Sequence, residues 1–227
     1  MNILSGLFWL ALTVLLYAGM RGLHQRFPRP WLSPLIVVPA ILMAVLLLAR
    51  VPYAAYNAQS HWLSAMLGPA TVAFAIPIHE YRHVIRRHWF PLVIGVVVGM
   101  GVAVFSTVWF CRLLGLPEAL ERSLSVRSIS TPFAIAAAPQ MGGQAELAAV
   151  FVVITGLVGM VLGEWLLGWL PVRTSLARGA LFGAGAHAVG TVTAHKRDTE
   201  EGVISSLTMI IAGMLMVLLA PWLAAWV

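Results

Sequence analysis

A chain of 227 residues that is 60% hydrophobic and only 10% charged, with a mean hydropathy of +0.91, has too few charged side chains to coat a soluble globule of its size. The expected class is an all-α polytopic membrane protein, a single transmembrane domain over residues 1–227. Its formal charge of +6 does not indicate nucleic acid as a partner, because the basic residues fall in short clusters between apolar runs, the pattern of membrane topology.

The apolar start, Ile3 to Met20, has no basic residue before it, Arg21 after it and no clear Ala-x-Ala site. It reads as a retained first helix and not as a cleaved signal. Further apolar runs lie at 33–49, 90–113, 147–170 and 203–227, each near the ~20 residues that a bilayer core demands. The single cysteine, Cys111, lies in the run 90–113 and excludes an intramolecular disulfide. A sixth run, 63–79, holds Pro69 and Pro77 and reads as a kinked span. Two segments, 117–143 and 174–200, mix apolar residues with Gly, Pro, Ser, Thr and charge and read as broken or re-entrant. The expected organisation is therefore N-terminal helices in 1–62, a first half in 63–143 and a second half in 144–227. About six spanning helices and two broken segments would form an inverted repeat, although no strong internal sequence repeat marks one.

Lysine and arginine placement tests this division, because cytoplasmic loops collect them. With the N-terminus outside and both broken segments re-entrant, ten fall inside: Arg21, Arg26, Arg29, Arg82, Arg86, Arg87, Arg173, Arg178, Lys196 and Arg197. Four fall outside: Arg50, Arg112, Arg122 and Arg127. Full crossings would reduce the split to eight against six. The re-entrant version is favoured, and it sends two hairpins toward the midplane from opposite faces. Both termini are then extracytoplasmic.

The first broken segment contains Arg127-Ser128-Ile129-Ser130-Thr131-Pro132-Phe133-Ala134, then Pro139 and Gly142-Gly143. A polar break at membrane depth is tolerated only inside protein or along a water-lined cavity, so it marks a solute site. Thr131 before Pro132 is read as a helix start, with the hydroxyl at the N-cap and proline at the first helical position. A helix beginning there presents free amides and a positive dipole end to an anion such as a carboxylate. Ser128 and Ser130 add hydroxyls. Arg127 admits two readings, a cationic ligand or an arginine snorkelling to head groups.

The second broken segment carries Ala177-Arg178-Gly179, Gly183, Gly185, His187, Gly190 and Thr191, and then a charged run from Lys196 to Glu201. An ionisable residue among small apolar ones at membrane depth is a functional candidate. His187 is accordingly read as an anion ligand or proton relay, against the alternative of a histidine bonded to a backbone carbonyl. Gly190 is read as the helix breaker and Thr191 as the cap of a second half-helix, with Arg178 contributing charge. Glu200 and Glu201 read as a solvated helix start. The pairs Gly95/Gly99, Gly159/Gly163 and Gly179/Gly183 allow close helix contact and indicate packing, not chemistry.

His79-Glu80-Tyr81-Arg82-His83 fits H-E-x-x-H, a zinc-hydrolase motif when it lies on a helix. Pro77 just before it, the basic cluster Arg86-Arg87-His88 after it, and the absence of an obvious third ligand favour an interfacial helix end.

Several stretches together are similar to one family. Arg127 to Ala134, Gly156 to Gly163, Ala177-Arg178-Gly179, His187-Ala188-Val189-Gly190-Thr191, and Glu201-Gly202 followed by Ser205-Ser206-Leu207 resemble the signature of the LrgB/CidB family of bacterial inner-membrane proteins. The stretch from Gly68 to Pro77 resembles that family's earlier proline-containing helix, and the likeness covers roughly residues 65–225. It implies one of two roles. One is transport of a small monocarboxylate such as pyruvate, glycolate or glycerate; the other is holin-like or antiholin-like control of murein hydrolases and lysis. The implied setting is the inner membrane, with an LrgA/CidA-type membrane subunit, the lipid bilayer and a homo- or hetero-oligomeric state, no cofactor and no enzymatic activity. Departures from the pattern are Ser130 in place of Thr, Ala186 in place of Ser, Gln140 in place of an acid, and Glu164 where a neutral residue is commoner.

Overall fold

A computed structural model describes residues 3–27, 32–73 and 75–227, which form helices and turns and no β-strand. Arg29 of the charge count and Phe74 of the early proline-containing stretch lie outside the described residues, as do the side chains of Ala70 and Thr71. The chain divides into two compact units, Met1–Pro69 and Ala70–Val227.

In the first unit α1 (Ile3–Arg26) packs against α2 (Pro34–Leu48) and α3 (Tyr53–Ala65). Gly6 of α1 admits the Gln59 side chain of α3, and Thr13 Oγ1 donates to the Trp9 carbonyl while lying 3.3 Å from the Tyr56 hydroxyl. α1 has the length and apolarity of a span. α2 has 15 residues and rises only ~22 Å, short of the ~30 Å hydrocarbon core expected for the run 33–49.

The run 63–79 is not one kinked helix. Its residues belong to the end of α3, then α4 (Leu67–Ala73) and α5 (Ala75–Glu80). Pro69 and Pro77 each stand in the first turn of their short helices, where a missing N–H costs no hydrogen bond. The described spans of membrane length are therefore α1, α6 (Arg82–Leu113), α9 (Ala145–Trp169) and α12 (Thr199–Leu223).

In the second unit α6 kinks at His88, whose φ of −119° leaves the helical region. Pro91 follows within one turn, removing a backbone donor and crowding the preceding carbonyls. Beyond the kink, Leu92, Val96, Met100, Val104, Val108 and Cys111 form one buried stripe at helical spacing. α12 is the axial element: from Glu201 to Ala220 most of its residues are buried.

The two broken segments are both hairpins. In the second, α10 (Ser175–Gly185) and α11 (His187–Arg197) meet at Ala186. A Cβ on Gly190 would lie 2.5 Å from the Phe182 carbonyl oxygen, a contact that residues eight apart make only if the chain folds back. Its mouth is closed by Glu201, which takes Arg178 from the start of α10 and Arg197 from the end of α11. α10 rises ~16 Å over its 11 residues, about half of the hydrocarbon thickness. In the first, α7 (Glu118–Ser125) descends to the tip and α8 (Thr131–Ala137) returns, ending in a 3₁₀ turn at Pro139–Met141. Arg122 donates to the Met141 carbonyl and Ser123 Oγ accepts from the Gln144 amide at 2.8 Å, tying its two ends together.

The mouths lie at opposite ends of the long helices. The first is at the C-terminal end of α6, where Arg112 pairs with Glu121 and donates to the Val227 carbonyl. The second is at the start of α12. The order long helix, hairpin, long helix thus occurs twice, with α9 shared and the hairpins oppositely directed.

Glycines set how closely α10 approaches α12. A Cβ on Gly179 would come 2.5 Å from the Glu201 carbonyl oxygen and 2.8 Å from Ile204 Cβ, and one on Gly183 would run into the Ser205 carbonyl. Gly95 and Gly99 meet nothing within 4 Å. Gly183→Ala is expected to destabilise the protein by roughly 1–3 kcal/mol, the usual cost of overpacking, and Gly95→Ala to leave it within about 0.5 kcal/mol. Denaturant titration in detergent micelles checks the contrast, and equal effects would remove the packing role assigned to Gly183.

Candidate functional site

The hairpin tips meet. The first tip is Arg127-Ser128-Ile129-Ser130, with Ile129 fully buried. The second is Gly185-Ala186-His187. His187 lies against the Ser128 and Ala184 backbone and beside the Arg127 guanidinium, at geometry short of a hydrogen bond, so both ring nitrogens are without a partner. The side chain is 2% exposed, and its φ of +51° is left-handed. That region is strained for a non-glycine residue and costs of order 1–3 kcal/mol. The reversal from α10 into α11 turns on this residue.

The first tip carries two more polar groups. Ser130 is 3% exposed and its Oγ has no hydrogen-bond partner. Arg127 donates from Nε to Thr107 Oγ1 at 3.1 Å, and no carboxylate of the described residues lies within ion-pair distance of it. An unmatched buried hydroxyl, an unmatched buried imidazole and an uncompensated cation are each unfavourable alone. Groups of this kind suit a small anion with hydrogen-bonding oxygens.

α9 makes room for the second tip. A Cβ on Gly156 would lie 3.2 Å from the Ala186 carbonyl oxygen, and one on Gly159 would overlap the Gly185 carbonyl. Alongside runs an open groove of ≈ 410 Å³, lined by Leu124, Arg127, Ile154, Val158, Leu162 and Gly185 among others.

The family model described as LrgB, LrgB-like family, matches residues 13–226. The chain belongs to the LrgB-like family. Among its LrgB-like relatives, YwbG of Bacillus subtilis (strain 168) is 40% identical over 221 residues, covering 97% of this chain and 98% of that one. YxaC of the same organism is 35% identical over 215 residues, with 95% and 93% covered. The holin-like protein CidB of Staphylococcus aureus (strain N315) is 28% identical over 217 residues, with 96% and 95% covered. No solved structure shows a significant match.

In this LrgB-like chain His187 is brought to Ser128 and Arg127, Ser130 is buried in the same first tip, and Thr131 and Pro132 are half-buried at the start of α8. The expected cap moves by one residue. Ser130, not Thr131, holds the N-cap position of α8, and it makes no side-chain capping bond; its hydroxyl remains unmatched.

The expected break at Gly190 is overturned: Gly190 and Thr191 lie inside α11, and the reversal is at Ala186 and His187. Gly190 serves close packing against α10, and Thr191 Oγ1 lies 2.9 Å from Ser205 Oγ, so Thr191 caps no half-helix. Arg178 is not brought to the tips. It donates to the Val172 carbonyl and pairs with Glu201 at the mouth, and the residues from Arg178 to Gly185 rise ~10 Å. Glu201 is not solvated either, being 3% exposed.

The H-E-x-x-H stretch is not one helix. It is divided at Tyr81 between α5 and α6, and Arg82 Nη1 lies 3.2 Å from His79 Nε2.

Sequence reasoning missed Thr107, which orients Arg127. Its signal is Ser106-Thr107, a hydroxyl pair inside the apolar run 90–113. It also missed Glu201 as the clasp of the second hairpin, which adjacency to Glu200 disguised as surface charge.

Proposed function

We propose that this membrane protein is a transporter or channel for a small monocarboxylate of the pyruvate, glycolate or glycerate class. The observation that carries this reading is the meeting of two oppositely directed hairpin tips at the His187 ring and Arg127, with the unmatched Ser130 hydroxyl in the same first tip. Broken elements at membrane depth that converge from two sides are the usual setting of a transported solute. Arg127 supplies charge, Ser130 and His187 supply hydrogen bonds, and Thr131, Pro132 and Ser128 shape the first tip. Gly190 and Thr191 support the second tip from within α11, and Arg178 acts at its mouth.

Orientation follows from charge. Arg82, Arg86, Arg87, Arg173, Arg178, Lys196 and Arg197 gather at the end where α12 begins, against Arg112 and Arg122 at the other. The positive-inside rule makes the mouth of the second hairpin cytoplasmic and the C-terminus extracytoplasmic, in a bacterial inner membrane. An LrgA/CidA-type subunit is the proposed membrane partner.

Reconstitution into proteoliposomes tests the reading. Labelled pyruvate or glycolate is expected to enter above protein-free liposomes, and Ser130→Ala to reduce that uptake by roughly tenfold, on the order of 1–1.5 kcal/mol for one hydrogen bond. Wild-type uptake no faster than leakage would remove it.

The name of the holin-like CidB relative favours a second reading, an oligomeric regulator of murein hydrolase activity and lysis. That reading expects Ser130→Ala to be silent in a cell-lysis assay and changes on the α6 face carrying Gly95 and Gly99 to alter it.

A further inference from the structure

We infer that the groove beside the hairpin tips binds an amphiphilic carboxylate, with its head group on Arg127 and an apolar chain of about six to eight carbons along α9. This rests on Arg127 being an anion-binding group, as proposed above, and extends the substrate class beyond two- to four-carbon acids. Ile154, Val158 and Leu162 recur every four residues on one side of α9, a straight apolar stripe of ~12 Å. Arg127 stands at the groove with Gly185 of the second tip and is, among the described residues, the one charged residue in its lining.

Size and charge both select the occupant. At the ~30 Å³ that a water molecule occupies in the liquid, the ≈ 410 Å³ groove holds on the order of a dozen such volumes, about twice the non-hydrogen atoms of a three-carbon acid. The apolar walls reject a hydrated polyanion, and the uncompensated guanidinium rejects a neutral chain, because a cation at this depth calls for a counter-charge. An anionic phospholipid offers similar chemistry. The test separates it from a free acid.

The full-length protein is placed in nanodiscs of phosphatidylcholine, and thermal unfolding is followed by tryptophan fluorescence with butanoate, hexanoate, octanoate and octanamide. Affinity is expected to rise roughly threefold to fourfold per methylene, so that octanoate binds about tenfold more tightly than hexanoate, while octanamide gives no shift that depends on Arg127. Arg127→Gln is expected to weaken octanoate binding at least tenfold. Val158→Phe, which keeps Arg127 and narrows the groove, is expected to do the same.

Equal affinity along the acid series, an equal shift from octanamide, or an octanoate shift unchanged in Val158→Phe would overturn the inference. So would stabilisation by nanodiscs containing phosphatidylglycerol with none from octanoate, which would assign the groove to lipid. Octanoate binding that depends on Arg127 and Val158, without uptake of short acids, would remove the short-acid reading and leave the groove; the converse would remove only the groove.

Discussion

His187→Asn is expected to lower carboxylate uptake at least tenfold while leaving the protein within about 1 kcal/mol of its original stability. Three features of the site determine this. The left-handed φ of +51° is one that asparagine visits through local side-chain hydrogen bonding, so the substitution adds no backbone strain. Neither ring nitrogen of His187 makes a well-formed hydrogen bond, so the substitution gives up little more than weak backbone contacts at Ser128 and Ala184 and some packing. Function has the opposite balance. Asparagine does not reach as far toward Ser128 and Arg127, so the proposed anion binding is weakened. Proteoliposome uptake and denaturant unfolding of one preparation decide the matter. A loss of more than about 2 kcal/mol with normal residual uptake per folded molecule would make His187 a structural residue.

Glu201→Ala is expected to be the most damaging single change outside the tips, costing roughly 2–3 kcal/mol. Its carboxylate side chain is 4% exposed and holds both ends of the second hairpin, Arg178 at 3.2 Å and Arg197 at 3.3 Å. Removing one partner of a buried pair commonly costs ~3–5 kcal/mol. The two arginines here are about one-third exposed, so water recovers part of that. Glu164 pairs with Arg197 at 3.6 Å from a position 47% exposed, and Glu164→Ala is expected to cost under ~0.5 kcal/mol. Unfolding of the two variants, with an Arg178→Ala/Glu201→Ala double-mutant cycle, checks the ranking. Similar costs for Glu201→Ala and Glu164→Ala would mean that the clasp is not where the hairpin is held.

The clasp also bears on mechanism. The second hairpin is tied to α12 at its mouth, and its tip carries the strained, unmatched His187. The first hairpin is tied in the same manner, by Arg112 to Glu121 and by Arg122 to Met141. The unmatched polar groups at the tips make them the place where access to the site is expected to change.

The sequence by itself determined the class and the two interruptions. Apolar runs of spanning length require membrane helices wherever they occur, and Pro132 with its hydroxyl neighbours cannot continue a helix without leaving polar groups unmatched. Basic clusters at one end of the runs favoured hairpins over full crossings, and the contacts of Gly190 with Phe182 and of Ser123 with Gln144 have that geometry.

What only the tertiary structure decided is where each break falls and which residues share it. Local propensity placed the second break at Gly190, the weak helix former. In the fold, Gly190 is helical because α10 passes too close for any side chain, and the buried His187 takes the left-handed turn instead. Arg197, Glu201 and Glu164 read locally as separate charges and Arg178 as a contributor to the anion site, but they form one clasp because the hairpin returns its end beside its beginning. Such contacts join residues far apart in the chain, and no periodicity along one segment records which distant segment covers it.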